Sequence, residues 1–279
     1  QALYHPNDSN LRVATVQYAN FAYSLTSWDV EPDWTDFTEG IDSEDRQPWD
    51  APIMFHPASP DVAWCATERV YRMEGAPFGI WEPVSDDLTL GVSPGLSFRV
   101  VTSLSGSPFN PDWVAAGTSD GQVWYTVNAG EDWSLMIDNL PPRQITDIAF
   151  DPFHPDSMTV TLNGYKDAVY TPHVLRAGIG EAWQDVTGDL PDHPANDWRA
   201  LDDSTWVLAT DYGVYHTENW GHHWDRVGDM PYIPVFELDV DTAASQLVAA
   251  TFARSIQTFP LDSLLPELTV VEPVDTNVT

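Results

Sequence analysis

The residues with the most capacity for chemistry in this chain are carboxylates: 31 Asp and 12 Glu stand against 10 Arg and a single Lys. Two carboxyl groups about 5 Å, or about 6.5–9.5 Å, apart across a sugar support retaining or inverting glycoside hydrolysis. Glu68, Asp120, Tyr165, Lys166, Asp211 and Arg254 fall in turns that the strand pattern described below gathers on one face. Trp49 and Trp198 lie near the same turns, with flat rings suited to sugar stacking or to packing between sheets. These eight are candidate ligand-binding residues, but acids are so numerous that proximity between two of them is no signature of catalysis. His216, His222 and His223 invite a metal reading, yet neighbouring residues on a strand point apart, so the set is not expected to converge on one zinc ion. Structural calcium is compatible with turns so rich in Asp, although no EF-hand-like spacing ending in Glu occurs and no metal ligand is assigned. Cys65, alone in an apolar run over residues 62–66, reads as a small buried hydrophobe.

The charge balance narrows the partners. A formal net charge of −32 leaves no basic stripe to grip nucleic acid or an anionic membrane. No stretch approaches the roughly 18 consecutive apolar residues of a membrane-spanning helix. An Asp-rich, Lys-poor surface points to a secreted or cell-surface setting. The chain opens on Gln1, as expected where a leader or a longer upstream region has been removed. With 43% hydrophobic residues and 13 Trp, there is ample material for a core.

The elements that must position the candidates are legible in a repeat. Trp34, Trp81, Trp133, Trp183 and Trp224 recur at intervals of 47, 52, 50 and 41 residues, the period of a propeller blade. Pro-rich phrases such as Tyr4-His5-Pro6, Phe55-His56-Pro57 and Phe150-Asp151-Pro152 precede short β-branched runs, with His5, His56 and Asp151 in the position of a turn cap. The unit reads strand A, Pro-rich turn, strand B, short turn, strand C, Asp/Gly turn, strand D at the Trp. Six A-B-C sets are predicted, starting near residues 2, 51, 98, 145, 197 and 235, and five have a D strand. The fold class is therefore all-β, a β-propeller of four-stranded antiparallel blades, about six in number within a range of five to seven. It occupies residues 1–260; residues 261–279 read as an extended tail, a linker or a closing strand, with 267–271 suited to the missing outer strand. Antiparallel order puts the B-to-C and D-to-A connections on one face, where the candidate residues fall.

Thr126, Asn128, Gly130 and Trp133 align with Thr217, Asn219, Gly221 and Trp224, and Ser27, Asp29 and Trp34 form a looser third copy with Glu31 in place of the glycine. These phrases resemble the Ser/Thr-x-Asp-x-Gly-x-Thr-Trp motif of the Asp-box, or BNR-repeat, propellers, a group that includes sialidases, sortilin-type proteins and xyloglucanases. The resemblance implies that these eleven residues are structural, in C-to-D turns opposite the ligand-bearing face. The stretch 201–259 also resembles the closing blades of large secreted proteins of the Bacteroidetes type: Thr251 and Arg254 match a Thr-x-Gly-Arg-Gly turn, with Ala253 and Ser255 in place of its glycines. The sialidases' Arg-Ile-Pro element is absent, Arg12 standing instead in Leu-Arg-Val, and the two complete propellers of xyloglucanases exceed this length. The expected function is a non-catalytic binding or structural module, alone or within a larger secreted protein or assembly, with no cofactor and with a protein or an extracellular glycan as partner. The alternative is a glycoside hydrolase or lyase acting on an extracellular polysaccharide.

Overall fold

Short apolar runs closed by Pro, Gly, Asn and Asp fold as antiparallel strands in a computed structural model that describes residues 2–27, 29–92, 99–137, 139–165 and 172–265. The first blade contains β1 (Ala2–His5), β2 (Asp8–Val16), β3 (Asn20–Ser24) and β4 (Thr35–Asp36), hydrogen-bonded in chain order. The second contains β5 (Ile53–His56), β6 (Ser59–Ala66), β7 (Val70–Glu74) and β8 (Glu82–Pro83), and the third β9 (Val101–Gly106), β10 (Val114–Thr118), β11 (Val123–Thr126) and β12 (Ser134–Leu135). The fourth runs through β13 (Ile145–Phe150), β14 (Ser157–Leu162), β15 (Val174–Gly178) and β16 (Gln184–Asp185), the fifth through β17 (Ala195–Ala200), β18 (Trp206–Thr210), β19 (Gly213–Thr217) and β20 (Asp225–Arg226). The sixth has β21 (Val235–Asp241), β22 (Gln246–Thr251) and β23 (Ile256–Pro260), three strands among the described residues. The fold is a six-bladed β-propeller with the predicted strand order; residues 267–271, read from the sequence as a closing outer strand, lie outside the described residues.

Radial packing follows from burial. Every residue of β10 and of β18 is buried, because a second strand is covered on both faces by neighbouring blades. The outer strands are two residues long and mostly exposed, a short edge that resists pairing with another chain. Leu3, Ile53, Thr102, Asp147, Asp197 and Glu237, one from each inner strand, line a single central channel.

Two kinds of turn stitch the blades together. After the inner strand, His5 Nδ1 accepts the Asn7 N–H at 3.2 Å, His56 Nδ1 accepts that of Ala58 at 3.2 Å, and Asp151 Oδ1 accepts that of Phe153 at 2.8 Å. A ring nitrogen that accepts leaves the proton on the other, so Nε2 of each histidine donates across to the next blade, at Pro60 O (3.0 Å) and Trp113 O (3.1 Å). Before the outer strand, Thr126 Oγ1 accepts the Gly130 N–H at 3.0 Å and Asn128 Oδ1 accepts that of Asp132 at 3.0 Å; Thr217 and Asn219 repeat both bonds, to Gly221 at 3.1 Å and His223 at 2.9 Å. Gly221 has φ +80°, and a Cβ there would lie 2.3 Å from the Val186 carbonyl oxygen of the preceding blade. The following tryptophans reach backward too: Trp81 Nε1 donates to Phe37 O at 2.7 Å and Trp133 Nε1 to Val84 O at 2.8 Å. Trp34 departs from this pattern. Its turn keeps the Ser27–Asp29 bond at 2.7 Å, but ten residues separate β3 from β4, against seven in the second, third and fifth blades, and the ring is 45% exposed.

Candidate ligand-binding mouth

On the face of the B-to-C and D-to-A connections, a cleft of about 1060 Å³ opens above the central channel, and Asp50, Thr102, Thr146, Asn196 and Phe236 line both. The long connection between β4 and β5 walls one side. Its shape is set by ions: Arg46 meets Glu68 at 2.9 Å and Asp87 at 2.7 Å, while Arg69 meets Asp45 at 3.0 Å. Asp45 also accepts the hydroxyls of Thr67 (2.7 Å) and Tyr71 (2.5 Å), and burial together with this carboxylate pushes the Tyr71 phenol well up. Burial raises Asp87, but Arg46 and Thr89 outweigh it and hold the carboxyl below its ordinary range.

So latched, the loop presents Trp49, 64% exposed, at the lip of the cleft. Tyr18 stands edge-on to it with ring centroids 5.3 Å apart. Tyr18 (φ +62°) and Ala19 (φ +51°) are both left-handed, the conformation of a tight turn that closes the β2–β3 hairpin and sets the Tyr18 ring beside Trp49. Phe236, from the sixth blade, also lines the cleft; it is exposed and packs edge-on to Phe252 at 6.2 Å. The rest of the lining combines uncharged polar groups, among them Gln47, Ser119, Gln144, Thr146, Asn163 and Asn196, with the acids Glu44, Asp45 and Asp50 and with Arg46.

The other candidates divide. Asp120 accepts the Thr118 hydroxyl at 2.6 Å and the Leu90 N–H at 2.9 Å, with Arg99 3.5 Å away. Asp211 takes the Tyr165 hydroxyl at 3.1 Å and the Asn196 amide at 3.1 Å. Slight desolvation and the Asp211 carboxylate push the Tyr165 phenol up to about 12. Glu68, Asp120, Asp211 and Tyr165 are thus committed to partners within the protein and do not line the cleft, whereas Trp49 does. Arg254 is exposed at the tip of the β22–β23 hairpin, and Ala253 (φ +63°) and Ser255 (φ +58°) beside it hold the left-handed conformation that glycine would adopt more easily. Lys166 lies outside the described residues. Trp198 corrects the expectation of a stacking platform: it is buried and packs edge-on to Trp206 at 5.5 Å, with no free face for a sugar.

The histidines do not meet. His216 Nε2 bonds Leu264 O at 2.6 Å, and His223 lies between Asp189 and Asp225, 2.5 and 3.5 Å away. Among the described residues, no group of three or more His, Cys, Asp or Glu side chains is placed to hold a metal ion. Cys65 is buried, and burial pushes its thiol far up.

Sequence reasoning missed one cluster. In the channel wall Arg199 is 2.5 Å from Asp197 and 3.4 Å from Asp147, and Asp197 accepts the Leu238 N–H at 2.6 Å. Burial drives Asp197 well above the ordinary carboxylate range against the pull of Arg199, and the neighbouring Asp147 carboxyl adds to the rise. They tie the inner strands of the fourth, fifth and sixth blades together. Both residues fall in predicted inner strands, near 145 and 197, but nothing in their local sequence pairs them, so only the radial fold brings them together.

The class is thereby defined: a six-bladed β-propeller with an aromatic-walled, polar mouth over its channel. No known family profile matches the chain, and no curated protein matches it in sequence. Among solved structures it is similar to the GH74 xyloglucanase from Xanthomonas campestris, with a TM-score of 0.67 and 15% identity over 91% of this chain and 42% of that one. It is also similar to the computationally designed Ika8 protein (TM-score 0.58, 11% identity, 90% of this chain and 68% of that one). The β-propeller domain of Cps50 (Swd1) from Myceliophteria thermophila gives 0.57 and 12% identity over 87% of this chain and 72% of that one. The chain spans about two fifths of the length of the xyloglucanase, and at these identities the likeness is one of fold.

Proposed function

We propose that the protein is a non-catalytic binding module that docks a neutral glycan in the mouth. The observation that carries this reading is the lining: exposed aromatic rings at the lip, with amides and hydroxyls beside them, offer flat apolar faces and directional hydrogen bonds to a polyhydroxylated ring. A net charge of −32 disfavours an anionic ligand. The alternative, a glycoside hydrolase or lyase, needs a spaced pair of uncommitted carboxyls: the expected acids Glu68, Asp120 and Asp211 are spent on Arg46, Thr118 and Tyr165, and of the acids that line the cleft Asp45 is held by Arg69 and Asp50 by Thr15, with Glu44 the remaining one. The twin Thr126 and Thr217 turns support kinship with the Asp-box propellers, and the Asp-rich, Lys-poor composition supports a secreted or cell-surface setting, alone or within a larger assembly.

Titration calorimetry with a panel of neutral oligosaccharides tests the proposal, run beside an assay for released reducing ends. Binding without turnover is expected, and Trp49→Ala should weaken it at least tenfold while leaving the melting temperature unchanged, since the ring is mostly exposed. Release of reducing ends, or binding indifferent to Trp49→Ala, overturns it.

A further inference from the structure

A second group of rings stands on the face of the mouth, over the fifth blade. Tyr212, in the β18–β19 turn, and Tyr232, in the connection from β20 to β21, are both exposed, with ring centroids 6.3 Å apart and planes at 65°. Asp211 ties this group to the opening. Its carboxylate accepts the amide of Asn196, a residue that lines the mouth, at 3.1 Å, and the hydroxyl of the exposed Tyr165 at 3.1 Å; Tyr212 is the next residue in the chain. An aromatic track therefore begins where the lining of the mouth ends.

The rings are braced from behind. His193 lies against Tyr212 at 4.1 Å between centroids, with planes only 19° apart. The Arg226 guanidinium sits 4.3 Å from the centre of the Tyr232 ring, and the carbonyl oxygens of Tyr212, at 3.2 Å, and Met230 pin it there. A cation over one face of an aromatic ring is attractive, so the brace fixes the ring as well as the arginine. A side chain held in this way has already given up the rotamer freedom that binding would otherwise remove. Tyr232 is nevertheless 72% exposed, so with Arg226 on one side it turns its other face to solvent. A ring that stands outside the core and is still held in one place is built as a contact surface.

We propose, building on the glycan reading of the mouth, that Tyr212 and Tyr232 form a second stacking subsite, and that the ligand is a linear neutral oligosaccharide running from Trp49 across the opening and out over the fifth blade. The volume agrees: a cleft of about 1060 Å³ lies at the top of the range that takes a drug-sized ligand whole, so a glycan that fills it is longer than one sugar unit.

Calorimetry on the full chain with ladders of β-1,4-linked gluco-, manno- and xylo-oligosaccharides, from dimer to octamer, tests the proposal. Affinity should climb with length until the ligand reaches Tyr232 and then level off. Tyr232→Ala should cost at least fivefold for the octamer and less than twofold for the dimer, whereas Trp49→Ala should weaken both. Tyr232→Phe retains the ring and should retain the affinity. Phe78→Ala is the control and should change nothing, because Phe78 is as exposed as Tyr232 but stands in the β7–β8 connection on the opposite face. An octamer indifferent to Tyr232→Ala, or a loss equal for dimer and octamer, overturns the subsite and leaves the mouth as the place of binding. Failure of every ladder to bind overturns the glycan reading itself, and the subsite with it.

Discussion

Replacing Thr217 by Val isolates the energy of the repeated turn. The side chain is buried, and Val preserves its branched shape, so the substitution removes hydrogen bonds without opening a cavity. The hydroxyl donates to Asn219 Oδ1 at 3.0 Å, accepts the Gly221 N–H at 3.1 Å and takes the Asn219 N–H as a longer third contact at 3.3 Å. The two shorter bonds at about 0.5–1.5 kcal/mol each, with a buried N–H left unpaired, give a loss of about 2–3 kcal/mol. Thr126→Val should match it, since Thr126 makes the same bonds at 2.8 and 3.0 Å. The two turns lie in the third and fifth blades and share no partner, so the double variant should lose the sum. Ser27→Ala is the control: its bond to Asp29 is exposed, and the loss should stay below about 0.5 kcal/mol. Urea unfolding followed by tryptophan fluorescence measures all four. Equal losses for Thr217→Val and Ser27→Ala, or a loss under about 0.5 kcal/mol for Thr217→Val, would refute the assignment of these turns as the stitches of the fold.

Gly221→Ala should destabilise more than Gly75→Ala: both sites have positive φ, worth about 1–2 kcal/mol to a residue with a Cβ, but only at Gly221 does that atom meet a carbonyl, whereas nothing lies within 4 Å at Gly75. Comparing their urea midpoints checks this. Burial holds His56 below its ordinary pKa, against the pull of the Trp113 carbonyl and Asp112, so the unfolded chain binds its proton first; stability present above about pH 6.5 should fall as pH drops from there through the depressed folded value. His56→Asn keeps an acceptor for the Ala58 N–H and should flatten the melting-temperature profile between pH 7 and 5, so parallel profiles would exclude His56 as the source. Self-repulsion among 32 excess negative charges predicts a melting temperature that rises from low to molar salt, and a flat response would show that the charges are already well separated or paired.

The fold was legible because each blade is a local unit. The tryptophan period, the Pro-rich phrases and the β-branched runs all report contacts within about fifty residues, and the strands at Trp206–Thr210 and Gly213–Thr217 fall where the runs place them. Even His5, His56 and Asp151 were readable as caps, since a turn needs an acceptor two residues before a free N–H and any of these side chains supplies one. Trp34 shows the limit of such a motif, which specifies the residue types of a turn but not the length of the connection: in the first blade the connection is longer and the tryptophan is left 45% exposed.

The mouth was largely illegible, because its lining is contributed a residue or two at a time by connections far apart in the chain, and no local pattern marks Gln144, Asn163 and Asn196 as neighbours. The acids misled for a physical reason. Cations are few, and five of the ten arginines go to carboxylates that the fold encloses: Arg46 to Glu68 and Asp87, Arg69 to Asp45, Arg99 to Asp120, Arg176 to Asp151 and Arg199 to Asp147 and Asp197. A buried carboxylate without such a partner is costly, so the acids most enclosed by the fold are also the ones whose lone pairs are already committed. The same scarcity that makes the surface so negative therefore removes the enclosed acids from the pool available to a substrate. What stands at the opening of the channel, beside Glu44 and Asp50, is the set that charge counting overlooks, the aromatic rings and the neutral amides.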